Sequence, residues 1–346
     1  MSIIGQFPGI SEELPEGIVG QLCYTDCEDI LNLTNVETIP DEVEIYRTIT
    51  ESCKILDVNL YATGISYVTS GGKVCRTYWD GYSGWSGSFN SAVNGSSANC
   101  IAYGSTVKHL ANGATKYTHY HDTDIVYVSG SLYESLSVDA NGVVHYYDCS
   151  VYNSETGEYE GKLKWTVTHK GCTSAYYFET TIAVGSVLKM LCPITGKTLD
   201  EYDLGHDIRE VSSGVCYCDD GYVFYFNRDM NAITENSTVV GYTGSIIPSE
   251  SYQFDKEVIS IIKHTKGVYV LFADGCLTRY NNLTERIERW TFDQHKVRPT
   301  CMQVSVSCDA AAFIVVGYED GVIYQLKQKT GRIKAYFTPE TGSAES

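Results

Sequence analysis

Seven glycines, at positions 72, 104, 142, 185, 221, 275 and 321, stand between runs of β-forming residues at intervals of 32 to 54 residues. At such a junction glycine lets the backbone turn at positive φ without a Cβ clash, which is what a tight hairpin requires. The flanks are strand-like on both sides, as in C-D-D-G-Y-V-F-Y-F around Gly221 and F-A-D-G-C-L-T-R-Y around Gly275. A mean spacing of about 41 residues is too long for one hairpin and fits a sheet unit of about four strands. A unit of that size cannot bury its faces alone, so successive units must stack.

The last unit, residues 297–337, shows the pattern in full. Four β-rich runs (301–305, 313–317, 322–326 and 332–337) are separated by turn residues, with Glu319-Asp320-Gly321 at the tightest turn and Thr330-Gly331 at the next. Thr-Gly turns recur at Gly157 and Gly196, and a histidine stands just ahead of a first strand at His121, His169, His206 and His295. This unit resembles a blade of the WD-repeat propellers, and the resemblance extends over residues 48–337. It implies an all-β fold, a single β-propeller of four-stranded blades, seven in number with eight as the alternative. It also implies a structural pair between His295 and Asp320, although Leu326 occupies the place of the family's tryptophan and most blades lack the Trp-Asp dipeptide.

Charge is unevenly spread. Residues 1–60 hold 12 acidic and 2 basic side chains, whereas residues 254–337 hold 12 basic and 9 acidic ones. Residues 1–47 therefore read as an acidic segment serving as closure strand, outer cover or extra blade, with β-rich runs at 17–24, 29–35 and 43–48; residues 338–346 read as a disordered tail. A formal charge of −18 argues against nucleic-acid binding, which needs clustered Lys and Arg, and favours protein partners, basic surfaces among them. No run approaches the 18 apolar residues of a membrane span, and the start of the chain has no leader-like apolar core. Thirteen scattered cysteines without an export signal point to reduced thiols and a cytoplasmic location.

Motifs for chemistry are sparse. His119 and His121 share one face of a strand and could present two imidazoles to a metal, but no third ligand is specified, so no metal and no other cofactor is expected. Phosphate-loop and dinucleotide fingerprints are missing, and Gly84-Trp85-Ser86-Gly87 lacks the helix that a nucleophile elbow needs. The densest Gly/Ser/aromatic stretch runs from Tyr78 to Phe89. Its Tyr78, Trp79, Tyr82 and Trp85 are candidates for a partner-binding surface, set against packing of the tryptophans between blades. The expectation is a non-enzymatic interaction scaffold within an intracellular complex; a glycan-binding or glycosidase-like propeller of the secretory pathway is the alternative.

Overall fold

The structure, a computed structural model, describes residues 44–49, 53–61, 64–78, 83–265, 267–305 and 312–339. Among these residues every element is a β-strand, and the strands form seven sheets, each containing four antiparallel strands in chain order. Each sheet is one blade of a β-propeller: residues 55–88, 94–120, 125–168, 172–203, 208–253, 258–292 and 299–339 for blades 1 to 7. In each blade the strands are lettered A to D from the central channel outward. All seven repeating glycines fall in the turn between strands B and C, each with positive φ. At Gly142, which has φ +76°, an added Cβ would also meet the His169 carbonyl oxygen at 2.2 Å.

Alternation along the strands supplies the core. The faces of the sheets bury residues such as Ile65, Ile101, Leu136, Ile182, Val223, Leu271 and Val316 against a neighbouring blade. Burying each such side chain contributes about 1.5–3 kcal/mol. Strand-A pairing slips by one residue at the same place in six blades, after Ile55, Ile125, Cys172, Ile208, Val258 and Pro299. A bulge there re-aims the following side chains, and the A strands together line a central cavity of about 900 Å³.

Three of the four tryptophans follow a common rule. Trp85, Trp165 and Trp290 stand on strand D of blades 1, 3 and 6, and each ring lies on the C–D turn glycine of the next blade: Gly113, Gly196 and Gly331. A Cβ on those glycines would come within 2.7, 2.7 and 2.4 Å of the ring. All three glycines have positive φ.

The ring closes without exchanging strands. Blade 7 owns its strand D, Ile333–Pro339, and the segment Glu44–Ile49 adds outside it as a fifth strand, paired in parallel with Glu44 opposite Ala335 and Ile49 opposite Pro339. A boundary drawn at residue 47/48 therefore cuts through this strand, since a run that reads as the end of the acidic segment belongs to the blade 7 sheet. The expected strands at 17–24 and 29–35 and the tail beyond Pro339 lie outside the described residues. Blades 7 and 1 meet through Val315, Ile323 and Gly317 on one side and Ile55, Val58, Ile65 and Tyr67 on the other. A second clasp comes from blade 5. Its C–D hairpin, Tyr222–Glu235 and Thr238–Gln253, is far longer than a blade strand and leans over blade 4, where Asp200 accepts the Ile246 amide at 2.7 Å and Met230 packs beside Met190.

Candidate functional site

The channel is a deep concave feature lined by the A strands, and two carboxylates stand at its waist. The slip in strand A places Asp57 of blade 1, Tyr127 of blade 3, Glu210 of blade 5 and Cys301 of blade 7 at equivalent positions facing the axis. The Tyr127 hydroxyl donates to Glu210 Oε1 at 3.3 Å, and Asp57 Oδ1 accepts the Val58 amide at 2.9 Å. Burial raises the Asp57 carboxyl to about 7, with the charge of Glu210 adding to the shift. Burial likewise holds Glu210 above the usual carboxylate range, although neighbouring Arg209 pulls it back. Burial also pushes the Cys301 thiol up, so that it stays protonated.

One mouth of the channel is tied by a charged bridge across three blades. Glu257, just before strand A of blade 6, accepts Arg209 Nη1 of blade 5 at 2.6 Å and Arg298 Nη1 ahead of blade 7 at 2.7 Å; its Oε1 also accepts Arg298 Nη2. Arg209 Nη2 donates to the Val258 carbonyl as well. Hydrogen bonding from Arg298 holds the Glu257 carboxyl below its ordinary value. At the other end Lys263 is engaged by Glu250 at 2.6 Å. Arg209, Arg298 and Lys263 are thus paired with Glu257 and Glu250 rather than with Asp57.

The recurring histidines occupy the D–A turns. His206 Nδ1 lies 2.6 Å from Asp220 Oδ2, and His295 Nε2 lies 3.0 Å from Asp320 Oδ2, each Asp belonging to the B–C turn of the blade that follows. The His295 contact is off the N–H line and is not a directed hydrogen bond. In blade 6 a lysine takes the same place, with Lys256 Nζ 2.7 Å from Asp274 Oδ2. In blade 3 the counterpart is His121, whose Nδ1 faces Asp139 Oδ2 at 3.7 Å. His119 and His121 both reach Ser137 Oγ, at 3.3 and 2.7 Å. Among the described residues no group of three or more His, Cys, Asp or Glu side chains is arranged to hold a metal.

The aromatic stretch is divided by the structure. Trp79 and Tyr82 lie outside the described residues. Tyr78 is half-buried, with the Arg76 guanidinium 5.3 Å from its ring centre. Trp85 is half-buried on Gly113 and packs against the cluster of Val68, Val74, Ile101 and Leu110, a geometry that favours the architectural role over a docking one. The acidic waist escaped the sequence reading. A signal for it exists in Ile55-Leu56-Asp57 and Ile208-Arg209-Glu210, the same triplet pattern at the start of two A strands.

The sequence matches no family model and no curated protein. Among solved structures, Sqt1 from Saccharomyces cerevisiae is similar with a TM-score of 0.55 at 9% identity, over 82% of this chain and 100% of that one. The computationally designed Ika8 protein is similar with a TM-score of 0.51 at 14% identity, over 81% of this chain and 98% of the other. At such identities the likeness is one of fold alone.

Proposed function

We propose that this chain is a non-enzymatic propeller of the WD-repeat kind that serves as an interaction scaffold, a subunit or adaptor of a cytoplasmic protein complex. The observation that carries the reading is the contrast between the two rims. The rim made by the A–B and C–D turns exposes Tyr133, Phe178, Ile194 and Ile287, with Phe178 68% and Tyr133 50% accessible. The rim of B–C and D–A turns is rich in carboxylates, among them Asp122, Asp207, Asp219, Asp274, Asp293 and Glu319. Large exposed rings at loop tips are the usual anchors of a protein interface, and an acidic rim favours a basic partner surface and repels nucleic acid. Fold likeness supports the scaffold role only as an analogy of architecture.

The test is a pull-down from cytosolic extract with a Phe178→Asp, Tyr133→Asp double variant. Partners retained by the wild-type protein should be lost while the melting midpoint moves by no more than a degree or two, because exposed side chains affect stability by about 0.5 kcal/mol or less. Unchanged partners would remove this rim from the interface. Failure of the wild-type protein to retain any partner would count against the scaffold reading itself.

A further inference from the structure

Between blades 2 and 3 a small apolar cluster of Cys100, Ala102, Val107, Ile125 and Val128 is joined by a layer of imidazoles. His109 on Thr106–Ala111 and His119 on Ala114–Tyr120 face Ser135 and Ser137 on Glu134–Asp139, and His145 and Tyr147 on Val143–Asn153. His119 stacks on Tyr147 with ring centres 3.6 Å apart, and His121 stacks on His145 at 3.8 Å. His109 Nε2 bonds Ser135 Oγ at 3.0 Å, and its ring centre lies 5.6 Å from that of His119. His109, His119 and His121 are buried, and the Nδ1 atoms of all four rings are buried without a hydrogen-bond partner.

A hydroxyl carries one hydrogen, so Ser137 donates to one ring and accepts from the other. The tautomers that satisfy the set place an Nδ1–H on His121, facing Asp139, and an Nε2–H on His119, donating to Ser137. His119 Nδ1 is then a bare lone pair. A second proton on His119 would put a donor where no acceptor stands and a cation in a layer already crowded with imidazoles. The other charged groups do not relieve this. Asp139 and Asp122 bear on His121 and His145, while Lys116, which donates to the Cys149 carbonyl at 3.4 Å, adds positive charge beside His109; Tyr117, Tyr147 and the Cys100 and Cys149 thiols remain neutral there.

We propose that the seam between blades 2 and 3 is a proton-operated opening point of the ring, at which proton uptake by His109 and His119 parts the two sheets while the other seams stay packed. Burial holds the imidazoles below the ordinary histidine value of 6.5, to about 4 for His109 and His121 and lower still for His119. Because these folded-state values are depressed, the opened seam binds more protons than the closed one, and the stability of the closed seam falls as pH drops from 6.5 toward 4. Each imidazole held near 4 raises the opening constant about 30-fold between pH 7.5 and pH 5.

Peptide-resolved hydrogen exchange on the full chain at pH 7.5 and pH 5, corrected for the intrinsic pH dependence of exchange, reads this directly. Thr106–Ala111, Ala114–Tyr120 and Glu134–Asp139 should lose protection at pH 5, whereas Val258–His264 and Gly267–Phe272 keep theirs. A His109→Gln, His119→Phe variant, in which Gln can still bond Ser135 and Phe can still stack on Tyr147, should diminish the acid response by about 30-fold for each imidazole removed, leaving the part that His121 and His145 carry. Should that pair fail to fold at pH 7.5, His109→Gln alone should diminish the acid response about 30-fold. Equal loss of protection in all seven sheets, or a variant with the wild-type acid response, would overturn the proposal.

Discussion

Trp85, Trp165 and Trp290 each pair with a glycine that lacks the Cβ a ring would strike, and this division of labour sets how much of a blade boundary one residue controls. Trp85→Ala should lower stability by about 3 kcal/mol, below the ceiling for a fully buried ring because this one is half-buried; chemical denaturation checks it. A midpoint left unchanged would return Trp85 to the pool of docking residues. Asp57 behaves in the opposite sense. Its folded value, about 7, lies above the unfolded 3.8, so the folded form holds the extra proton between those values and stability is lost as pH rises through that window. Asp57→Asn should therefore gain about 1–2 kcal/mol at pH 8, after allowing for screening by channel water, and much less at pH 5. Denaturant midpoints of the two proteins at both pH values would show it. The turn glycines were legible in the sequence because a positive φ leaves a compositional mark. The Trp–Gly seats were not, since their partners are 28, 31 and 41 residues apart and only stacking of blades brings them together.

At the scale of the strand and hairpin, local pattern located the four strands of the last blade, and the structure has them at Pro299–Val304, Phe313–Tyr318, Ile323–Lys327 and Ile333–Pro339. What pattern could not supply was the partner of an extra strand. Glu44–Ile49 reads as β-forming, but pairing across nearly 300 residues depends on where the ring closes. Parallel addition gives the outer edge of blade 7 a cover, and an uncovered edge strand offers unpaired N–H and C=O groups to other chains. A chain starting at residue 50 should consequently show concentration-dependent association by light scattering and a melting midpoint lower by several degrees. A monomeric truncation with the wild-type midpoint would show that the strand contributes nothing. The long hairpin of blade 5 was hidden for a related reason: its reach over blade 4 rests on contacts such as Ile246 to Asp200 that no local signal announces.

For the molecule as a whole, a recurring turn established the repeat, while the closed ring of seven blades, with eight as the alternative, came from the resemblance to WD-repeat propellers. Its interior chemistry needed the ring to exist first, because Asp57 and Glu210 are 153 residues apart and come together only across the channel. Closure has a consequence for how such a chain comes into being. Each blade is a contiguous stretch, so blades can form one after another as the chain is synthesised. The arc of six nevertheless ends in two naked apolar faces, Ile55, Val58 and Ile65 at one end and Ile259, Tyr269 and Leu277 at the other. Only residues 299–339 fit between them. Until that stretch has left the ribosome the nascent protein is a sticky crescent in need of a chaperone, and a message cut short before residue 299 would yield a product that cellular quality control removes, however well its six blades have folded.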